Sequence, residues 1–132
     1  MAKNYPRWAH ARYENAVHGG AISTITLSDP YGRNTIPAGA IILGGTIDII
    51  TQLAGASATI AVGTTAGSST TAIKGATAVA SWTVGQMAVV PVFTAATYVK
   101  MTASGSITCT IATTALSAGE FEVHLLYVVS SE

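Results

Sequence analysis

The stretch that decides the fold is EFEVHLLYVV, from Glu120 to Val129. Side chains of an extended strand point alternately to its two faces. One face of this stretch is wholly apolar and carries Phe121, Val123, Leu125, Tyr127 and Val129. The other face starts polar, at Glu122 and His124, and then becomes apolar. The pattern predicts a long strand whose apolar face lies against a second sheet.

The same alternation occurs just upstream of this strand. Ile107, Cys109 and Ile111 alternate with threonines, and residues 113–119 between the two stretches are small and polar. We therefore predict a two-strand unit that packs on earlier strands. One layer between the sheets is predicted to bury Phe121, Val123, Leu125, Ile107, Ile111, Ile60 and Val62. Cys109 is expected to be a small buried hydrophobe, and a single cysteine excludes an internal disulfide framework.

Short β-type segments separated by turns fill the middle of the chain. The turn signals include Asp29-Pro30-Tyr31-Gly32, and the glycine pair Gly44-Gly45 predicts a bulge or bend in a long strand. Further strands are predicted within residues 21–28, 40–53, 58–62, 72–79, 86–92 and 98–103. The whole pattern predicts an all-β, antiparallel β-sandwich of about eight strands, jelly-roll-like in topology. A seven-stranded immunoglobulin-like sandwich is the alternative, but its Cys…Trp…Cys spacing is absent.

The composition favours a protein that assembles. Charged residues make up 9% of the chain, against about 25% in a typical soluble domain, and the formal net charge is zero. An uncharged surface rich in Thr, Ser, Ala and Gly suits packing against copies of itself or another protein, and a monomeric β-domain is the alternative. We expect no transmembrane helix and no secretory signal, because no apolar run is long enough and the first residues contain no apolar core.

The first residues differ from the rest in their basic and aromatic content. We predict an N-terminal arm over residues 1–19, with a short helix within Trp8–Val17, followed by the β-sandwich domain over residues 20–132. The side chains expected to bind a partner are Tyr5, Arg7, Trp8, Arg12 and Tyr13. Basic and aromatic residues together also suit nucleic acid. However, Lys3, Arg7 and Arg12 against Glu14 give a net charge of only two positive in residues 1–18, so docking on protein is favoured.

The sequence contains none of the common catalytic motifs. It has no GxSxG, no glycine-rich phosphate loop before a helix and no paired Cys or His at metal-ligand spacing. Glu122 and His124 share one strand face, where acid–base chemistry is the less favoured interpretation and a solvated or interface face the favoured one. We therefore expect no catalytic residue, no cofactor and no metal site, and hence no enzyme.

Four short segments of the sequence account for a resemblance to a known group of proteins. They are IPAGAII (36–42), AVGTTAGSST (61–70), TYVKMTASGSIT (97–108) and GEFEVHLLYV (119–128). The chain resembles the small β-sandwich structural proteins of tailed bacteriophages, which include head decoration (cement) proteins and some tail-fibre domains. The resemblance to cement proteins implies a jelly-roll-like homotrimer on the outer capsid surface, bound to the major capsid protein where capsomers meet. A receptor- or carbohydrate-binding module of a tail fibre is the alternative.

Overall fold

The structure is a computed structural model that describes residues 6–129. Its strands are short to medium in length, apart from two long ones that form the centre of one sheet. In chain order the elements are β1 (Arg7–Glu14), α1 (Asn15–His18), β2 (Ser23–Thr26), β3 (Thr35–Ile36), β4 (Ala40–Ala54), β5 (Thr59–Thr64), β6 (Lys74–Ala78), a 3₁₀ turn (Val79–Ser81), β7 (Gly85–Ala88), β8 (Val99–Lys100), β9 (Gly105–Ala112) and β10 (Ala118–Val129).

Two antiparallel sheets form a sandwich. The first has the order β1-β10-β4-β7, with β8 also paired to β4, and the second has the order β2-β9-β5-β6, with β3 also paired to β9. The predicted all-β antiparallel sandwich is confirmed. The eight strands expected from the sequence correspond to β2 and β4–β10, and the two that the sequence analysis missed are β1 and β3.

The segment predicted as an arm is a strand over Arg7–Glu14. β1 pairs with β10 along its whole length, from Arg7 opposite Tyr127 to Glu14 opposite Glu120. The predicted helix within Trp8–Val17 is wrong, since only Asn15–His18 is helical. The physical reason is the edge of β10: without β1, its backbone N–H and C=O groups on that side would have no partner strand.

The core between the sheets contains the layer predicted from the sequence. All seven of its side chains are 0% exposed, so that prediction is confirmed. Phe121 packs between two further aromatic rings, with centroid distances of 5.3 Å to Tyr13 and 5.1 Å to Trp82. Cys109 is also buried, and burial raises the pKa of its thiol to about 12. The thiol therefore stays protonated at neutral pH, which excludes the thiolate that nucleophilic attack needs.

The glycine pair of β4 lies at a bulge, as predicted. Leu126 faces Gly44 and Tyr127 faces Ile42, so that Leu43 is the extra residue on β4. A Cβ on Gly45 would lie 2.1 Å from the carbonyl oxygen of His124, and a Cβ on Gly44 would lie 2.3 Å from the Phe93 ring. Glycine is needed at Gly45 because a backbone carbonyl approaches β4 closely there, whereas a side chain at Gly44 would require the exposed ring of Phe93 to move.

Candidate functional site

Seven ionisable side chains gather on the outward face of the first sheet. On β1 and β10, His10 is opposite His124, Arg12 is opposite Glu122, and Glu14 is opposite Glu120. Asp48 on β4 is opposite Glu122 on its other side. Partners directly opposite each other in a sheet share a face, so these seven residues form one patch, which we call the charged ladder. It contains Glu14, Asp48, Glu120 and Glu122, four of the six carboxylate side chains in the sequence.

Arg12 lies among three carboxylates of the charged ladder. Its Nε is 3.1 Å from Glu14 Oε1, its Nη1 is 3.5 Å from Glu122 Oε2, and its Nη2 contacts Glu120 Oε2. The side chain is partly exposed, so each pair contributes little to stability, about 0–1 kcal/mol. The guanidinium is nevertheless held in place by these three carboxylates of the same chain.

Two histidines converge on one oxygen of Glu122. The Nε2 atoms of His10 and His124 lie 3.6 and 3.4 Å from Glu122 Oε1. Both distances exceed those of protein hydrogen bonds, about 2.7–3.2 Å. One potential ligand atom from each of the three side chains lies within 4.8 Å of the other two. His10, Glu122 and His124 are therefore the residues of the charged ladder that could bind a metal ion.

Asp29 orients one of these histidines. Its side chain is fully buried, and Oδ1 lies 2.7 Å from His10 Nδ1. It also accepts hydrogen bonds from the backbone N–H of Tyr31 and from the backbone and side chain of Arg33. The Arg33 side chain above all, with the other donors, holds the pKa of Asp29 well below its usual range, despite burial, which acts in the opposite direction. An ionised carboxylate only accepts, so His10 Nδ1 must carry the proton and donate.

We expect the hydrogen bonds of Asp29 to make stability depend on pH. Because the pKa is lowered in the folded state, the stabilisation is complete above the unfolded value of about 3.9 and is lost as pH falls towards the lowered folded value. Asp29→Asn should therefore lower the melting temperature at pH 7, and its difference from the parent should shrink steadily below about pH 4.

Thermal melts followed by circular dichroism from pH 7 to pH 2 measure this difference. Asp48→Asn is the matched control, because the structure gives the Asp48 side chain no hydrogen bond within residues 6–129. It should melt close to the parent throughout. If the difference in melting temperature between Asp29→Asn and the parent stays constant from pH 7 to pH 2, the hydrogen bonds of Asp29 do not cause the pH dependence.

The partner-binding residues predicted from the sequence fall in different environments. Trp8 is 57% exposed on the outward face, and Arg12 lies in the charged ladder on the same face. Tyr13 lies in the core, because its inward position on β1 places its ring against Phe121. Arg7 begins β1 opposite Tyr127, and Tyr5 lies outside the described residues. The structure thus brings Trp8 and Arg12 to one surface and places Tyr13 in the interior.

Sequence reasoning missed His10 and Asp29 as neighbours of Glu122 and His124. A signal for His10 was present, since His10, Arg12 and Glu14 alternate with Ala9, Ala11 and Tyr13 at the strand period. Had that period been recognised, His10 would have been placed on the polar face of a strand. No sequence signal links Asp29 to His10, because the contact depends on how the turn folds back onto β1.

A shallow groove lies at one end of the charged ladder, beside α1. Its volume is about 260 Å³, and its walls include Glu14, Glu120 and Gly119. This is smaller than the about 300–1,000 Å³ of typical small-molecule sites. Within residues 6–129, none of the helices has the length and apolar character needed to cross a membrane.

Comparison with solved structures identifies chains of the same fold. A chain of the acid-stable capsid of Helicobacter pylori bacteriophage KHP30 aligns with a TM-score of 0.64 at 11% identity, covering 99% of this chain and 95% of that one. A chain of the cyanophage Pam1 capsid aligns with a TM-score of 0.64 at 19% identity, covering 96% and 86%. The fold is that of phage capsid chains. A chain from the capsid of Ralstonia phage GP4 aligns with a TM-score of 0.58 at 16% identity, covering 98% and 86%.

These structural neighbours agree with the resemblance to phage structural proteins found in the sequence. Each alignment covers nearly all of this chain and at least 86% of the other, so the likeness concerns the whole sandwich. No protein-family model and no curated protein matches the chain.

Proposed function

We propose that the protein is a structural component of a bacteriophage virion, and specifically a decoration (cement) protein of the head. In this role it binds the outer capsid surface as a homotrimer, contacts the major capsid protein and stabilises the contacts between capsomers. The observation that carries the proposal is the near full-length likeness to chains from three phage capsids. The position on the outer capsid surface, the trimeric state and the contact with the major capsid protein are inferred from the surfaces of the chain and from its resemblance to cement proteins.

The chemistry of the described residues supports a structural role over an enzymatic one. The buried thiol of Cys109 is held protonated. Three glutamates of the charged ladder are paired with Arg12. The groove beside α1 is shallow and small. None of these arrangements presents an activated nucleophile with a base in hydrogen-bond contact, the arrangement that acyl or phosphoryl transfer would need.

The outward face of the second sheet suits contact between copies of the chain. It is formed by small uncharged residues, which we call the threonine face: Thr24, Thr26, Thr59, Thr110 and Ala112. Thr24 and Thr110 already share a hydrogen bond of 3.0 Å between their hydroxyl groups. Burying such a face requires no charge to be desolvated, so it can associate without ion pairs. We assign the subunit contacts of the homotrimer to it.

An apolar row crosses the outward face of the first sheet and suits the capsid. Trp8 on β1 lies opposite Leu126 on β10, and Leu126 lies opposite Gly44, which the ring of Phe93 covers. Trp8 and Phe93 are each 57% exposed. Exposed aromatic side chains on one face of a sheet mark an interaction surface, and tryptophan is among the residues that dominate binding energy. We assign contact with the major capsid protein to this apolar row.

An add-back experiment tests the proposal. Heads of the phage that encodes the chain, assembled without it, are mixed with the purified protein and sedimented through sucrose. We expect the protein to sediment with the heads and to raise the temperature at which they release DNA. Trp8→Ala should weaken attachment at least about tenfold, in line with the loss of a buried aromatic at an interface. Tyr31→Ala is the matched control, because Tyr31 is an exposed aromatic outside the apolar row.

The location and mass of the protein complete the test. Electron microscopy of labelled particles should show it on the head, and analytical ultracentrifugation should give a trimer whose mass is the same in low and in half-molar salt, since little charge is available to be screened. Failure to bind heads, or label on the tail alone, would overturn the decoration role, and label on the tail would favour the fibre module. A monomer at micromolar concentration would overturn the homotrimer.

A further inference from the structure

His10, Glu122 and His124 each bring one potential ligand atom to within 4.8 Å of the other two, which is close enough for all three to bind one metal ion. A tetrahedral zinc site with bonds of about 2.0–2.1 Å places its ligand atoms about 3.4 Å apart. The two Nε2 atoms lie 3.6 and 3.4 Å from Glu122 Oε1, close to that separation and too far for a hydrogen bond. The two rings are tilted by 47° with centroids 4.8 Å apart, so they do not stack flat against each other.

A second, independent feature is the contact behind His10. Metal-binding histidines almost always donate their other ring N–H to a carboxylate or carbonyl, which fixes the tautomer and the ring orientation. His10 does so with the buried carboxylate of Asp29, whose Oδ1 lies 2.7 Å from Nδ1. The proton is thereby placed on Nδ1, and the lone pair of the neutral ring is on Nε2, the atom that faces Glu122.

The surrounding charge also favours a cation. The charged ladder combines four carboxylates with the single guanidinium of Arg12. Arg12 reaches Glu122 through Oε2, whereas both histidines face Oε1. One oxygen of Glu122 is therefore paired with the guanidinium, and the other remains directed between the two imidazoles.

We propose that His10, Glu122 and His124 form a Zn²⁺ site that ties β1 to β10. Two imidazole nitrogens and one carboxylate oxygen suit Zn²⁺, whereas Mg²⁺ and Ca²⁺ prefer oxygen ligands alone. His10 comes from β1 and the other two ligands come from β10, so a bound ion cross-links two strands that are distant in the sequence. The fourth position faces outward and takes water. No metal site was expected from the sequence, because it has no paired Cys or His at metal-ligand spacing.

Titration of the tag-free, full-length protein with zinc chloride after removal of metals by a chelator tests this site. We expect one Zn²⁺ per chain by calorimetry and a higher melting temperature, because an ion bound only by the folded state stabilises it. Magnesium chloride should produce neither effect. X-ray absorption of the zinc-loaded protein should show two imidazole nitrogens and further oxygen ligands at about 2.0–2.2 Å.

Single substitutions separate this site from adventitious binding. His124→Ala and Glu122→Gln should each weaken zinc binding at least about tenfold. His18→Ala is the matched control, because the His18 ring bonds to Glu14 and Ser28 away from the site. His124 is a third exposed, and its polar contact in the structure is with Glu122, so its replacement should leave the fold intact, as circular dichroism can verify.

Three results would overturn the proposal. The first is zinc binding that His124→Ala and Glu122→Gln leave unchanged, which would place the ion elsewhere. The second is an X-ray absorption spectrum of the zinc-loaded parent without two imidazole ligands, a measurement that depends on no variant. The third is the absence of saturable zinc binding by the parent.

Discussion

Phe121→Ala is expected to lower the free energy of unfolding by about 3–5 kcal/mol. Phe121 is completely buried, and its ring lies between those of Tyr13 and Trp82. Truncation removes the transfer free energy of the ring and leaves a cavity bounded by two large aromatic side chains, which cannot both move into it. Chemical denaturation with urea measures the loss as a shift of the transition midpoint.

The sequence contains one other phenylalanine, which provides a matched control. Phe93 is 57% exposed on the outward face, so Phe93→Ala should cost no more than about 1 kcal/mol. The same chemical change is thus made once in the core and once on the surface. Equal costs for the two substitutions would mean that the inward face of β10 has been assigned to the wrong side.

Deleting residues 1–18 is expected to prevent folding. The deletion removes β1, which pairs with β10 from Arg7 to Glu14 and buries Ala9, Ala11 and Tyr13. One edge of β10 would lose its hydrogen-bonded partner, and Phe121 would lose one of its two aromatic neighbours. A domain of this size has a total stability of only about 5–15 kcal/mol, so the loss of a whole paired strand is comparable to all of it.

Soluble yield, the far-UV spectrum and cooperative melting measure the effect of this deletion. Trp8→Ala is the control within β1, since its side chain points outward and its removal leaves the strand pairing in place. This control should melt close to the parent. The interpretation of residues 1–19 as an arm leads to the opposite expectation, namely a truncated protein that folds normally. A truncated chain with a parent-like melt would contradict the strand assignment.

Residues whose roles follow from local periodicity were predictable from the sequence. In β10, Phe121, Val123 and Leu125 alternate with polar residues, and this alternation alone determines which side chains face the core. The glycine pair of β4 was likewise recognisable as an irregularity, because glycine weakens a regular strand. The alternation in β10 and the glycine pair of β4 depend only on residues close together in the sequence. They can therefore be recognised without knowing the order of the strands in the sheets.

β1 was not recognised, for a physical reason. Its inward residues include Ala9 and Ala11, which are small and good helix formers, and Trp8 and Arg12 are spaced one helical turn apart. Local preference therefore allowed a helix. The edge of β10 decided the outcome, since eight backbone-paired residues and the burial of Tyr13 outweigh a helix that would be marginal by itself.

The sequence by itself determined the two-faced strands, the layer of side chains predicted between the sheets and the scarcity of charge. The register between strands was decided only in the tertiary structure, because each pairing depends on groups far apart in the chain. That register places His10 opposite His124, and the fold of the turn brings the carboxylate of Asp29 behind the His10 ring. A one-residue slip of β1 would direct His10 into the core and away from Glu122. The candidate metal site therefore exists only through the pairing of β1 with β10.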